Sequence, residues 1–168
     1  MKHFKELIKK AFLAAVVFLI AAAVGIPAGN MSPEGFWKTV DDETKEVESI
    51  VKLWVEKGEL KGKIVKIFPK PGEDPDPVCD KCSGKLKNVR VIGMNFMWAF
   101  QKAKNKWING KIVDPDNGKT YNCQLEITDS GKKMEVFGYI KLIFKIGRSQ
   151  TWIRHEAEIA ETSGETAP

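Results

Sequence analysis

The chain has 168 residues, with 27 Lys or Arg against 22 Asp or Glu and a formal net charge of +5. That length holds one domain with appendages. Four Lys and one Glu fall within residues 1–28, so removing those three net positive charges leaves only +2, with lysines interspersed among acids; nucleic acid is thereby excluded as a partner, because no concentrated basic face remains.

The N-terminus separates first. Met1 to Lys10 carries the four lysines, Ala11 to Ile26 has no charged or polar side chain, and Pro27-Ala28-Gly29-Asn30 breaks the run. This is the order of a secretory signal peptide, with cleavage expected near Ala28. An apolar run of that length falls short of the roughly 20 residues needed to span a bilayer. An uncleaved anchor is the alternative, because Ile26 is a poor residue three positions before the cut. No cysteine near the run suggests a lipid anchor. The expected location is the periplasm or outside the cell, with membrane contact only through this segment.

Eight strands are expected after it, at 35–40, 47–56, 60–68, 90–101, 106–113, 119–128, 132–142 and 147–155. Val51, Leu53 and Val55 alternate with Lys52, Trp54 and Glu56, and Tyr121, Cys123, Leu125 and Ile127 alternate with Asn122, Gln124, Glu126 and Thr128. A period of two means one buried and one wet face. Lys57-Gly58-Glu59, Asp114-Pro115-Asp116-Asn117-Gly118 and Asp129-Ser130-Gly131 supply short turns. The reading is all-β: an eight-stranded up-and-down antiparallel barrel over 29–155, with a two-sheet sandwich as the rival. A loose acidic tail is expected over 156–168.

One link is long. Pro69 to Gly84 holds four prolines, which forbid a central strand. It carries Cys79-Asp80-Lys81-Cys82, read as a local disulfide in an oxidising compartment. A redox pair lacks the helix start that lowers a thiol pKa, and a zinc site lacks two regularly spaced partners; both remain alternatives. Cys123 is left over. Asp114-x-Asp116-x-Gly118 reads as a hairpin turn, since the Glu of a calcium loop is replaced by Leu125. His155 has no nucleophile motif beside it. No cofactor motif and no catalytic residue emerge.

Met94, Phe96, Trp98 and Phe100 share one face if 90–101 is regular, and Trp54, Trp107, Tyr139 and Trp152 add to the aromatic count. These residues fill the core or line a cavity. In the cavity reading, Trp54, Phe96, Trp98, Phe100, Tyr121, Tyr139, Arg148 and Gln150 are the candidate ligand contacts.

Gly35-x-Trp37, Leu60-x-Gly62-x-Ile64-Val65, the run Gly110-Lys111-Ile112-Val113-Asp114-Pro115-x-x-Gly118-Lys119-Thr120-Tyr121, Val136-x-Gly138-Tyr139 and Gly147-Arg148-x-Gln150-x-Trp152-x-Arg154 together carry a resemblance. Over nearly all of 34–155 the chain resembles the exported bacterial domain-of-unknown-function family 2147 (DUF2147). The resemblance implies a lipocalin-like barrel and no established activity. Gly35-x-Trp37 is also similar to the opening signature of lipocalins, which implies that Arg154 packs across Trp37 and, with Gly35 and Trp152, clasps one end of the barrel. A guanidinium over an indole face gains about 0.5–2 kcal/mol.

Three functions follow as expectations. The first is an exported protein that binds a small hydrophobic or amphipathic ligand, with its site toward the mouth opposite the clasp. The second is an envelope structural or interaction module with a filled core. The third is a thiol-disulfide or metal role at Cys79 and Cys82.

Overall fold

Alternating sequence becomes eight antiparallel strands in the computed structural model, which describes residues 31–156. The segment 1–28, expected to be a signal peptide, and all but the first residue of the expected acidic tail lie outside the described residues. The strands are β1 (Gly35–Val40), β2 (Val47–Glu56), β3 (Glu59–Ile67), β4 (Asn95–Ala103), β5 (Lys106–Val113), β6 (Thr120–Thr128), β7 (Lys133–Lys141) and β8 (Lys145–His155). Each pairs with the next and β8 returns to β1, so the sheet is a closed meander barrel, not a sandwich. Closure removes sheet edges. The β1–β8 seam is short and runs through Phe36, Trp37 and Lys38 against His155, Arg154 and Ile153.

Connectivity gives the barrel two unlike ends. Residues 31–34, the turns at 57–58 and 104–105, the single-turn helix Asp129–Gly131 and the end of β8 share one end. The loops 41–46, 68–94, 114–119 and 142–144 share the other.

Register assigns the faces. On β2 and β3, Leu53 faces Gly62 and Val55 faces Leu60, while Trp54 sits beside Lys61. Leu53 and Leu60 are buried, so Trp54 lies on the outer wall. That wall carries Lys52, Lys61, Lys63, Lys111, Glu126 and Glu135. An apolar inside with a charged outside is the reverse of a barrel that spans a bilayer. Among the described residues, no helix is long and apolar enough to cross a membrane either.

β4 departs from expectation. It begins at Asn95, not 90, because Arg90 makes only an isolated bridge to Val78 and residues 91–94 turn toward β3. Its register against β3 slips twice. Ala99 adopts φ +64° and Asn109, on β5, adopts φ +60°. These bulges break the alternation, so Met94, Phe96, Trp98 and Phe100 do not form one regular face. Met97 joins the buried set, and Trp98 pairs with Lys111 on the outer wall. The Phe100 ring instead lies flat over Gly110, where an added Cβ would come within 2.3 Å of it.

The long loop is well organised. Cys79 and Cys82 form a disulfide with Cα atoms 5.3 Å apart. Cys79 N–H donates to Val89 O (2.8 Å), and Val91 N–H donates to Pro77 O (2.9 Å). Cys79, Cys82, Val91 and Met94 join the barrel residues Val113 and Ile64 in one apolar cluster. Lys81 Nζ donates to Asp116 O across the gap to the β5–β6 loop (2.8 Å). Gly118, at φ +70°, makes this docking possible: a Cβ there would lie 2.0 Å from Lys81 O.

Candidate functional site

At the seam end, Arg154 Cζ lies 4.2 Å from the Trp37 ring centroid. Its fork donates to three backbone carbonyls: Nε to Gly131 O (2.5 Å), Nη1 to Glu34 O (3.1 Å) and Nη2 to Ser32 O (2.6 Å). Trp37 Nε1 donates to Pro33 O (2.8 Å). Five donors in a rigid fork suit this task. The contacts tie the N-terminal approach, the β6–β7 turn and the last strand together. Gly35 lies 3.5 Å, measured from a built Cβ, from Arg154 Nη1. Trp152 is buried above them and stacks on Phe96, with ring centroids 6.2 Å apart.

The middle of the barrel is filled. Trp37, Val51, Leu60, Phe100, Cys123 and Met134 offer no surface to a water-sized sphere. Burial pushes the Cys123 thiol up to about 12, so it is no nucleophile near neutral pH. The Cys79 and Cys82 sulfurs are buried as well as bonded to each other. A thiol-exchange site needs an accessible sulfur.

Above the core, the inward face of β7 continues from Val136 through Gly138 to Ile140. It is matched on β8 by Gln150, Arg148 and Ile146. Val136 is buried, whereas Ile140 and Ile146 are 46% and 47% exposed. Gly138 leaves open space: only Ile112 Cγ2 comes within 4.0 Å of a built Cβ. Ile112 pairs with half-buried Tyr121, whose hydroxyl accepts from Asn117 Nδ2 (3.2 Å). Gln150 Oε1 accepts from Trp152 Nε1 (3.3 Å). Arg148 Nε meets Asp42 Oδ2 at 2.8 Å. The inner wall at this end is therefore apolar and open, with polar groups around it.

The rim is acidic on two sides. Asp41 Oδ1 accepts from the Glu43 and Thr44 amides, and these bonds hold its carboxyl below the ordinary range. Burial raises Glu48, helped by Asp41 and Asp116. Burial also raises Asp116, with Asp114 contributing second. Asp114 Oδ1 accepts from Asp116 N–H (2.9 Å), an Asx turn that opens the β5–β6 loop.

The eight aromatic and polar candidates therefore divide. Tyr121, Arg148 and Gln150 converge on the open end. Phe96 and Phe100 are packed into the core. Trp54, Trp98 and Tyr139 lie on the outer wall, which corrects their reading as cavity residues; Tyr139 stacks on Phe137 at 5.3 Å and lies under Lys145 Nζ at 4.4 Å. His155 closes β8 at the opposite end, in register with Phe36. Sequence reasoning missed Ile140, Ile146 and the hairpin tip Leu142-Ile143-Phe144. The signal was present: three large apolar residues stand where a turn ordinarily uses Gly, Asn or Asp.

Concavities also lie elsewhere on the described residues. One of about 590 Å³ lies at the seam end between Pro33, Val55, Trp107 and Ile127. Its apolar floor is nearly covered already, with Trp107 and Ile127 only 7% and 5% exposed. Another, of about 400 Å³, is an outer-wall trough edged by Lys106, Glu126 and Glu135. Met31, 55% exposed, also lines the concavity at the seam end.

A closed eight-stranded meander, opened by Gly-x-Trp and locked by an arginine from its last strand, defines a lipocalin-like barrel. Its fold is similar to that of protein HP1028 from the human pathogen Helicobacter pylori, described as belonging to the lipocalin family. The TM-score is 0.62 at 20% identity, over 74% of this chain and 83% of that one. The chain itself belongs to the DUF2147 family, uncharacterized proteins conserved in bacteria, whose model matches residues 35–154. No curated protein matches it in sequence.

Proposed function

We propose that this is an exported barrel that holds the apolar part of a small amphipathic molecule at its open end, above a filled core. The observation that carries the reading is the Ile140–Ile146 pair. These residues face inward, in register, and are half exposed, with Gly138 and Arg148 and then Gln150 between them and buried Val136 and Trp152. Apolar walls with a few polar groups are what small-ligand sites share. Arg148, one step along the same face, supplies a cation for an anionic head, and Gln150 and Tyr121 supply hydrogen bonds. The bonded cysteine pair and the signal-like N-terminus support export.

Titration with a dansylated medium-chain fatty acid tests this. Saturable one-to-one binding is expected, weakened at least tenfold by Ile140→Asp and less by Arg148→Gln. Absence of saturable binding, or binding untouched by Ile140→Asp in a folded variant, would refute it.

A second reading, a filled-core envelope module that acts through its surface, is favoured by one observation. The β7–β8 tip presents Leu142, Ile143 and Phe144 to solvent. Under that reading no ligand is held, and the apolar tip is the working part.

A further inference from the structure

We propose that the β7–β8 hairpin tip, Leu142-Ile143-Phe144, docks the barrel onto an anionic lipid surface. The three side chains are 65%, 100% and 66% exposed. They form the turn itself, where Leu142 N–H donates to Phe144 O (3.1 Å), so they project from the end of the barrel as a convex point. Nothing about a tight turn requires large apolar residues, and turns ordinarily avoid them.

Charge selects the partner. Lys141 and Lys145 bracket the tip and are both exposed. Lys145 Nζ rests back along the outer wall, donating to Gln124 Oε1 (2.9 Å) and lying 4.4 Å from the Tyr139 ring centroid; both lysines leave the chain one residue behind the apolar point, a strand residue advancing roughly 3.3 Å. That is the level of lipid phosphates when a tip enters the headgroup layer, and a lysine near such a surface is attracted to anionic lipid. The pattern repeats on the same rim. Phe68, 41% exposed at the exit of β3, is bracketed by Lys66 and Lys70, and Lys66 Nζ lies 4.8 Å from its ring centroid. In the eight-strand ring β3 stands opposite β7. The acidic loops with Asp41, Asp42 and Glu43 and with Asp114 and Asp116 lie between these points. They oppose a flat, mouth-down approach and favour a tilted one, led by the hairpin.

Size argues against a protein partner. Each of the three side chains offers less than about 200 Å². A stable protein interface needs about 800 Å² per partner. Shallow insertion of a few apolar groups backed by cations is enough for a reversible lipid contact.

The test uses Ile143→Cys carrying an environment-sensitive dye, on protein whose N-terminus has been fixed by mass. Buried Cys123 does not compete for the label. A second label at Asn105→Cys reports the opposite end. With vesicles of phosphatidylglycerol and phosphatidylethanolamine, a blue shift is expected at 143 and none at 105. Salt and the pair Lys141→Glu, Lys145→Glu should reduce it several-fold. Co-sedimentation of the unlabelled pair Leu142→Ser, Phe144→Ser, with an unchanged circular dichroism spectrum, should fall likewise. No shift at 143, or equal shifts at both positions, overturns the proposal, the latter because another part of the chain then holds the membrane. An equal response on neutral phosphatidylcholine overturns the anionic assignment. A shift without vesicles that grows with protein concentration assigns the tip to a second copy instead.

Discussion

Arg154 shows what one residue can carry. Its guanidinium stacks on Trp37 and reaches three carbonyls from two chain segments. Arg154→Ala strands those acceptors and uncovers the indole, so thermal unfolding should show a loss of about 1–3 kcal/mol. Arg154→Lys should fall between, because an ammonium cannot span all three. A melt unchanged in the alanine variant would contradict the pairing. Cys123 makes a second case. Its folded thiol sits at about 12 against an ordinary 9.0. The unfolded thiol therefore ionises first, and this residue's contribution is full below pH 9. It falls as pH rises from about 9 to about 12. The native protein should resist alkylation at neutral pH, and Cys123→Ala should lose that share of the alkaline fall in stability. Trp37 and Arg154 were legible in the sequence because they sit at fixed places on the first and last strands. Trp98 was not, because the positive φ at neighbouring Ala99 breaks the alternation beside it. Trp54 was legible as an outer residue, since it alternates with Val51, Leu53 and Val55 alongside Lys52 and Glu56.

At the scale of elements, alternation and turn chemistry located every strand, and four were displaced by only a residue or two. The miss was β4. Positive φ at Ala99 and Asn109 is not encoded by glycine, and the Arg90 bridge mimics a strand start. Nor did alternation reveal that residues 77–94 fold back onto the β5–β6 loop, since that contact depends on Gly118 approaching Lys81. Gly118→Ala places a carbon 2.0 Å from Lys81 O at a positive φ. It should loosen the loop and speed proteolysis between 69 and 90, with a stability loss of about 1–3 kcal/mol. Cutting the disulfide with Cys79→Ser and Cys82→Ser closes no loop longer than four residues, so the entropic loss should be only about 2 kcal/mol. Hydrogen exchange should rise in 77–93 and stay low in β2 and β6.

At the scale of the molecule, closing the sheet and filling it are separate outcomes. The eight-stranded meander was legible from strand count and link length. The close packing of the core was not, because it depends on Phe100 lying over Gly110 and Phe96 stacking on Trp152. The filled core moves any ligand to the open end, where Ile140, Ile146 and Arg148 wait above it, and leaves the hairpin tip free for a surface. Amide chemical-shift mapping during titration with dodecanoate tests this most directly. Shifts confined to 112, 121, 138–140 and 146–150 are predicted. Shifts centred on Val51, Phe100 and Cys123, or on Ser32 to Glu34, would contradict it.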